Sequence, residues 1–277
     1  MKYLVLGSSG QIGSALVNYL VDRGNEVETF DIVEDKYQDL RMQKNLVLLE
    51  KLHQSDFVFF LAFDVGGSRY LQRYQNTYKF IDNNMRIMAN TFELLEKSKK
   101  PFVFASTQMS NMSYSSYGSL KKVGEWYTKI LGGRIVKFWN VYGIEEDLEK
   151  SHVITDFVLK AKNNGIIDML TDGTEDRQFL YSEDCCQALE IISNEYEKID
   201  PDRELHITNH EWNTILEVAR EVVKNFPAQI VPAKTKDMLQ KNKKNEADPY
   251  ILEFWKPSTS LSEGIRKICN YYKENEK

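Results

Sequence analysis

The sequence predicts an α/β protein with a doubly wound parallel sheet and a smaller C-terminal α/β lobe. Short apolar runs alternate with longer stretches of helical periodicity, which is typical of βαβ winding. These runs span residues 3–6, 27–30, 57–61, 102–105 and 135–138. The run at 57–61 is apolar at every position, which indicates a strand covered on both faces. With 277 residues and 42% hydrophobic content, the chain is long enough to form such a core.

The first predicted strand leads directly into a glycine-rich turn that a helix follows. Gly7, Gly10 and Gly13 have the spacing Gly-x-x-Gly-x-x-Gly. Glycines at such a turn let the chain reverse sharply, let a pyrophosphate approach the backbone, and let the helix pack closely on the sheet. The same pattern occurs in ordinary strand–helix turns, but its position here favours a dinucleotide site in a Rossmann-type fold.

Asp31 closes the second predicted strand, about twenty residues after the glycines. A carboxylate at this place accepts hydrogen bonds from the adenosine ribose and repels a 2'-phosphate. Asp31 therefore favours NAD over NADP as the cofactor. The alternative is a solvated residue at the end of a strand.

The fourth predicted strand ends in Ser106-Thr107, and Tyr117 and Lys121 follow on a predicted helix. Residues four apart share a helix face, so the Lys121 ammonium can lie beside the Tyr117 phenol. Lowering a phenol pKa from about 10 by about 3 units takes roughly 4 kcal/mol, which a lysine and an oxidised nicotinamide can supply. We interpret the two residues as an acid–base pair, with Thr107 holding the substrate oxygen; an amphipathic surface pair is the alternative.

The composition argues against several other classes of protein. The net charge is -5 and the basic clusters are short, so nucleic-acid binding is not expected. The three cysteines and four histidines lack metal-ligand spacing, so no metal site is expected. No apolar run is long enough for a signal peptide or a membrane span, and we expect a cytoplasmic protein without membrane contact.

The hydrophobic pattern loosens after residue 145. We predict a nucleotide-binding domain over residues 1–145, to which later segments return, and mainly a substrate-binding lobe over residues 146–277. An amphipathic helix is predicted over residues 214–225. The stretch 234–248 is rich in Lys and Asn and is predicted to be a mobile surface loop.

Together these motifs resemble the extended short-chain dehydrogenase/reductases of the sugar-nucleotide epimerase/dehydratase family. The resemblance covers nearly the whole chain. The matching positions are residues 7–13, Asp31, 39–40, 56–62, Asn84, 104–107, Tyr117 with Lys121, 138–143, 152–154, 172–173, 177–184 and 255–265.

The resemblance implies a role for each of these positions. NAD would contact the glycine turn, the ends of the second and third strands and the catalytic lysine, namely Gly7, Gly10, Gln11, Ile12, Gly13, Asp31, Asp39, Leu40, Leu61, Ala62 and Lys121. Tyr117 would take a proton from a sugar hydroxyl, usually at C4 in this family, while Thr107 steadies that oxygen. The substrate's nucleotide diphosphate would be held by Asn140, Val153 and Arg177. Trp126, Tyr127 and Ile130 lie on the helix that forms a four-helix dimer interface in the family, which implies a homodimer.

Two departures from the family pattern bear on the reaction. Family dehydratases carry an Asp-Glu pair after the catalytic strand, where this chain has Gln108 and Met109. Elimination of water is therefore not expected. Residues 63–69 and 110–112 also differ from the family pattern near the sugar, so the substrate is left open.

Three functions fit the sequence. The first is an NAD-dependent 4-epimerase or C4 dehydrogenase acting on a nucleotide-linked sugar. The second is a reductase of a nucleotide-linked 4-keto sugar, which usually prefers NADPH and is therefore disfavoured by Asp31. The third is a non-catalytic dinucleotide-sensing protein, against which the intact Thr107, Tyr117 and Lys121 argue.

Overall fold

The computed structural model describes residues 1–145, 147–240 and 244–275. Helices and strands alternate along most of the chain. They are β1 (Lys2–Leu6), α1 (Gln11–Asp22), β2 (Glu26–Phe30), α2 (Leu46–Gln54), β3 (Phe57–Phe60), α3 (Ser68–Tyr74), α4 (Tyr78–Ser98), β4 (Phe102–Thr107), α5 (Ser116–Ile130), β5 (Arg134–Phe138), β6 (Asn140–Tyr142), α6 (Val153–Asn164), β7 (Ile166–Asp168), β8 (Asp176–Arg177), β9 (Phe179–Tyr181), α7 (Ser182–Asn194), β10 (Leu205–Ile207), β11 (Asn213–Thr214), α8 (Ile215–Val223), β12 (Gln229–Val231) and α9 (Leu261–Glu274).

The main sheet has the strand order β10-β5-β4-β3-β1-β2 among the described residues, and all its pairings are parallel. This confirms the predicted α/β fold, and the five predicted strands match β1 to β5 within two residues at each end. The sixth strand, β10, was not predicted, because it has only three residues and lies in the C-terminal half.

The apolar strand β3 is covered on both faces, as its composition predicts. Phe57 and Phe59 belong to the core that α1 and α7 cover. Val58 and Phe60 belong to the core that α2, α4 and α5 cover on the opposite face. Because successive side chains of a strand point to opposite faces, a doubly wound sheet needs apolar residues at every position of its central strands.

A third, smaller core lies beside the main sheet. It is formed by α6, α8 and α9 with the short strand pairs β6–β9 and β7–β12. Helix α8 corresponds to the amphipathic helix predicted over residues 214–225. Of the predicted loop 234–248, residues 241–243 lie outside the described residues, and so does residue 146 at the predicted domain boundary. No helix among the described residues is long and apolar enough to cross a membrane.

Helix α5 packs unusually close to β4. A Cβ on Gly124 would lie 2.3 Å from the ring of Phe104 and 3.2 Å from the sulfur of Met88. A Cβ on Gly118 would lie 2.1 Å from the carbonyl oxygen of Met109. The absence of a side chain at Gly124 lets the helix approach β4, and its absence at Gly118 lets the helix approach the turn after β4. This approach brings Tyr117 and Lys121 to the end of β4.

This packing predicts whether a substitution raises or lowers stability, in a case that helix propensity alone would predict wrongly. In a solvent-exposed helix, Gly→Ala stabilises by roughly 0.5–1 kcal/mol. Here Gly124→Ala should destabilise the protein by about 1–3 kcal/mol, because the added methyl group overpacks against Phe104. Chemical denaturation measures the change in the free energy of unfolding.

The exposed Ser119 of the same helix provides the control, since Ser119→Ala should change stability by less than about 0.5 kcal/mol. Adding Phe104→Leu to Gly124→Ala should recover part of the lost stability, which a double-mutant cycle detects. A stabilising Gly124→Ala would show that the helix is not held this close to the strand.

Candidate active site

The glycine-rich turn brings the ends of β1 and β3 closer together than side chains would allow. Gly7 has a φ of +88°, a left-handed conformation that glycine adopts without strain. A Cβ on Gly7 would lie 2.7 Å from the backbone of Ala62, and one on Gly13 would lie 2.0 Å from the carbonyl oxygen of Gly7. Gly10 precedes the first turn of α1, whose N–H groups point toward the turn. These residues fit a dinucleotide, because a pyrophosphate needs uncovered backbone at a helix N-terminus.

Gln11 and Ile12 are the first two residues of α1. The Gln11 amide donates to the carbonyl oxygen of Val141 over 3.3 Å, which connects the turn to β6. Ile12 packs against the apolar core under α1. Ile12 thus anchors the helix.

Asp31 lies beside the glycine-rich turn. One of its carboxylate oxygens accepts from the Ser9 backbone N–H at 3.1 Å, and the other accepts from the Val33 N–H at 3.0 Å. Asp39 is ion-paired with Arg41 at 2.8 Å; burial raises the pKa of this carboxyl, but the Arg41 hydrogen bonds outweigh it and the net pKa is lowered. Leu40 is buried in the core, and its carbonyl oxygen accepts from the Asn90 side-chain amide at 3.1 Å.

Leu61 and Ala62 directly follow β3. The Leu61 N–H donates to the Leu6 carbonyl over 3.0 Å and extends the sheet pairing by one residue. The next turn is held by Asn84 of α4, whose side-chain oxygen accepts from the Asp64 N–H at 2.7 Å. Ala62 is therefore held against Gly7 at the carboxyl edge of the sheet.

Thr107, Tyr117 and Lys121 come together at the same edge. Thr107 ends β4, and its side chain lies close enough to the Tyr117 phenol to oppose the rise in the pKa of that phenol. Tyr117 and Lys121 lie one turn apart on α5, whose N-terminus Ser115 caps by accepting from the Gly118 N–H at 3.1 Å. The Lys121 ammonium donates to the Ala105 carbonyl over 2.6 Å. The three predicted catalytic side chains thus form one cluster.

Phe63 completes this cluster and was not predicted to take part in it. Its ring centroid lies 3.8 Å from the Lys121 ammonium nitrogen and 5.8 Å from the Tyr117 ring, which it meets edge to face. The sequence indicates Phe63 only as the start of a loop that differs from the family pattern. The signal that could have indicated it is its place directly after Leu61-Ala62, at the end of a buried strand.

Burial shifts the pKa values of both ionisable groups in the cluster. Desolvation raises the pKa of the Tyr117 phenol to about 12, against the smaller, lowering effect of the Thr107 hydrogen bond. Desolvation lowers the pKa of Lys121 to about 7, while the charge of Glu125 opposes this shift. In the ligand-free protein Tyr117 is therefore a proton donor, and Lys121 titrates near neutral pH.

A buried ionic network lies next to the part of α5 that carries Tyr117 and Lys121. Glu125 lies one turn after Lys121 and accepts from the Ser106 hydroxyl at 2.5 Å. The ammonium of Lys137, on β5, lies 3.3 Å from Glu125 and 2.7 Å from Glu204. The sequence carried one signal of this network, since Glu125 has the same helical spacing from Lys121 as Lys121 has from Tyr117. Its partners on β5 and before β10 only meet in the folded chain.

The three predicted substrate-binding residues are placed differently from one another. The Asn140 amide donates to the Gln178 carbonyl over 3.0 Å, and Val153 is the first residue of α6. Arg177 is 8% exposed and forms an ion pair with Asp237, while its other amino group donates to the Asp176 carbonyl over 2.6 Å. The guanidinium of Arg177 is therefore engaged with a carboxylate of the protein itself.

Gln108, at the position of the dehydratase carboxylates, is buried under the segment that follows β12. Its amide donates to the Gln240 side chain over 2.9 Å. The Asn245 amide donates to the Gln108 side-chain and backbone oxygens, each at 2.8 Å. The side-chain nitrogen, the side-chain oxygen and the backbone oxygen of Gln108 are thus all hydrogen-bonded to amide side chains. Within the described part of the chain, no group of three or more His, Cys, Asp or Glu residues could hold a metal ion.

Comparison with known proteins agrees with this geometry. Residues 3–208 match the model of the NAD dependent epimerase/dehydratase family. The chain is 27% identical over 310 residues to a GDP-L-fucose synthase of Sinorhizobium fredii, covering 98% of this chain and 95% of that protein.

Two solved structures with low sequence identity share the fold. A UDP-glucose 4-epimerase of Thermotoga maritima superposes with a TM-score of 0.84 at 19% identity, over 99% of each chain. A GDP-6-OMe-4-keto-L-xylo-heptose reductase of C. jejuni superposes with a TM-score of 0.82 at 19% identity, over 99% of this chain and 97% of that one. The chain therefore belongs to the NAD dependent epimerase/dehydratase family, extended short-chain dehydrogenase/reductases that use NAD(H) and modify sugar nucleotides.

Proposed function

We propose that this protein is an NAD-dependent 4-epimerase or C4 dehydrogenase, which oxidises the C4 hydroxyl carbon of a nucleotide-linked sugar. The observation that carries the proposal is the cluster of Thr107, Tyr117 and Lys121 at the carboxyl edge of β4, next to the glycine-rich turn. Ligands of open parallel sheets bind at this edge. A nicotinamide held against Ala62 would therefore lie beside the acid–base cluster.

Each residue of the cluster has a separate task in this proposal. Tyr117 accepts the proton of the sugar hydroxyl, and Thr107 holds the oxygen from which the proton leaves. Bound NAD supplies the acceptor for the hydride that leaves the same carbon. Lys121 holds the nicotinamide ribose, and its positive charge favours the phenolate form of Tyr117. Phe63 and Ala105 keep Lys121 in place through the ring contact and the carbonyl hydrogen bond.

The substrate proposal rests on residues of β6, α6 and β8. Asn140, Val153 and Arg177 would bind the nucleotide diphosphate, for which the guanidinium of Arg177 is the suitable charged group. Asp237 would then either share Arg177 with the substrate or release it. Elimination of water is not part of the proposal, because Gln108 and Met109 carry no carboxylate and Gln108 is bound by Gln240 and Asn245.

A reductase of a nucleotide-linked 4-keto sugar is the second candidate. The raised pKa of Tyr117 favours it, because a phenol that stays protonated is suited to donate a proton to a ketone oxygen. Denaturing the purified protein and identifying any released nucleotide by mass spectrometry separates the two. Retained NAD or NADH supports the epimerase or dehydrogenase, whereas an empty protein that binds NADPH more tightly supports the reductase.

Two further parts of the proposal are a cytoplasmic location and a homodimeric state. Cys185, Cys186 and Cys269 are free and buried, which suits the reducing cytoplasm.

The neighbouring helices α4 and α5 both expose large apolar side chains, which suits a homodimer interface. Those on α4 are Tyr78, Ile81 and Met85, and those on α5 are Trp126, Tyr127 and Ile130.

Removing the phenol hydroxyl tests the catalytic assignment. Tyr117→Phe should lower the rate of hydride transfer by roughly 10²–10⁴-fold and leave NAD binding within a fewfold, because only the acid–base group is lost. The assay incubates the protein with NAD and a panel of nucleotide-linked sugars, and follows nicotinamide reduction and the sugar products. Tyr271→Phe, on α9, removes a hydroxyl outside both the cluster and the proposed dimer interface, and should have no effect.

Two results would contradict this assignment. If Tyr117→Phe kept full activity, another group would be the acid–base catalyst. If the wild-type protein bound NAD tightly but turned over no member of a broad substrate panel, the non-catalytic dinucleotide-sensing function would be favoured.

The lowered pKa of Lys121 predicts how stability depends on pH. In the unfolded chain a lysine has a pKa of about 10.4, whereas in the ligand-free fold Lys121 has a pKa of about 7. Between these values the unfolded state binds the extra proton, so stability rises with pH relative to a variant that lacks the group. Below pH 7 both states are protonated and the full cost of burying the charge remains.

The free energy of unfolding of the wild type should therefore rise relative to Lys121→Met between pH 7 and pH 10, by up to about 1.4 kcal/mol per pH unit. Denaturant titrations of the ligand-free proteins at several pH values measure this difference. Lys129→Met, which changes an exposed lysine of the same helix, should run parallel to the wild type. If Lys121→Met also ran parallel, the charge of Lys121 would not be desolvated.

The dimer proposal predicts that a charge on the exposed face of α5 separates the subunits. Ile130 is 80% exposed, and Ile130→Asp would bury a carboxylate in the interface. Size-exclusion chromatography with light scattering should then show a monomer where the wild type is a dimer. Val33 is also 80% exposed but lies after β2, so Val33→Asp should leave the mass unchanged. A wild type that is monomeric at high concentration would contradict the proposal.

A further inference from the structure

A second acidic residue is held against the glycine-rich turn. Glu34 lies three residues after Asp31, in a turn closed by the Glu34 N–H donating to the Asp31 carbonyl over 3.1 Å. Its carboxylate accepts from three hydroxyls: Ser8 at 2.6 Å, Thr29 at 2.6 Å and Ser9 at 3.3 Å. An exposed glutamate is ordinarily free to move in water, so this one is unusual in being fixed from three sides.

Two of those hydroxyls belong to the turn that would hold the cofactor. Ser8 and Ser9 are the residues between Gly7 and Gly10. The Ser8 hydroxyl is buried and accepts from the Phe30 N–H at 3.1 Å, so its single proton is committed to Glu34. The position of Glu34 is therefore set by the backbone of both β2 and the turn.

Ser9 places the two carboxylates next to each other. Its backbone N–H donates to Asp31 over 3.1 Å, and its hydroxyl donates to Glu34 over 3.3 Å. Asp31 and Glu34 thus contact the same residue of the turn. In the described ranges 1–145, 147–240 and 244–275, neither carboxylate forms an ion pair with a lysine or arginine. Two negative charges without a cationic partner face the place where Asp31 would meet the adenosine ribose.

We propose that Glu34 is a cofactor-specificity residue, which acts with Asp31 to reject dinucleotides that carry a 2'-phosphate. The inference rests on the NAD site of the proposed function and extends it to a residue outside the family motif. A 2'-phosphate would bring almost two negative charges beside two fixed carboxylates. At a partly exposed site, each such repulsion reduces affinity by roughly tenfold.

Asp31 carries only one of the two negative charges at this place. Both of its oxygens accept backbone hydrogen bonds, from Ser9 and from Val33. These bonds hold its carboxylate beside the turn, where the ribose hydroxyls would bind. Glu34 adds the second charge on the side of the Ser9 hydroxyl. Substituting Asp31 alone would therefore leave much of the discrimination in place.

The test compares NADH with NADPH, which differ only in the 2'-phosphate. Fluorescence titration or calorimetry gives the dissociation constant of each for the purified full chain, and the ratio of the two measures discrimination without any substrate. We expect the wild type to favour NADH by at least about a hundredfold. Glu34→Gln should narrow that ratio by about tenfold, mainly by strengthening NADPH binding, and Glu34→Lys should narrow it further.

Two controls isolate the charge of Glu34. Glu26→Gln removes the same charge at the opposite end of β2 and should leave the ratio unchanged. Raising the salt concentration should narrow the wild-type ratio more than the Glu34→Gln ratio, because exposed charges are screened. A loosened turn would weaken both ligands together, so the ratio still reports on the 2'-phosphate.

An unchanged ratio in Glu34→Gln and Glu34→Lys, with NADH still bound, would overturn this inference and leave the proposed function intact. A wild-type protein that binds neither nucleotide would defeat the cofactor assignment itself, and the role of Glu34 with it. A wild type that prefers NADPH would show that the two carboxylates do not exclude the phosphate.

Discussion

The structure depends on one close approach of backbone to backbone, where the turn after β1 meets the residue after β3. Gly7 lies so near Ala62, and Gly13 so near Gly7, that no Cβ fits at either glycine. This contact sets how far α1 is inserted over the sheet and where its N-terminus points. It also brings the turn beside the end of β4, because β3 and β4 are neighbours in a parallel sheet.

A second close contact places Lys121, and burial and nearby charges set its pKa. Gly124 lets α5 rest on Phe104, so that Lys121 reaches the Ala105 carbonyl. Burial lowers the pKa of Lys121 to about 7, and the nearby Glu125 opposes this. An aromatic ring, a carbonyl and a buried carboxylate thus favour the ammonium that burial disfavours. The pKa of Lys121 therefore lies near neutral pH, where a bound ligand can change the charge state of this lysine.

The residues proposed to bind the substrate form contacts within the protein itself. Asp237 pairs with Arg177, and Gln240 and Asn245 bind Gln108. The segment after β12 therefore contacts both the arginine proposed for the diphosphate and the residue at the dehydratase position.

The sequence alone determined the sheet, the glycine turn, the place of Asp31 after the second strand, and the cluster of Thr107, Tyr117 and Lys121. These features follow from local periodicity and from short spacings along the chain. Only the tertiary structure revealed the sixth strand β10, the ring of Phe63 over Lys121, and the partners of Arg177 and Glu34. Those features join residues that are far apart in the chain or that differ in element type, and no local pattern records such contacts. The physical reason is that burial and charge pairing are decided by which elements pack together, whereas helix and strand formation is decided largely within each element.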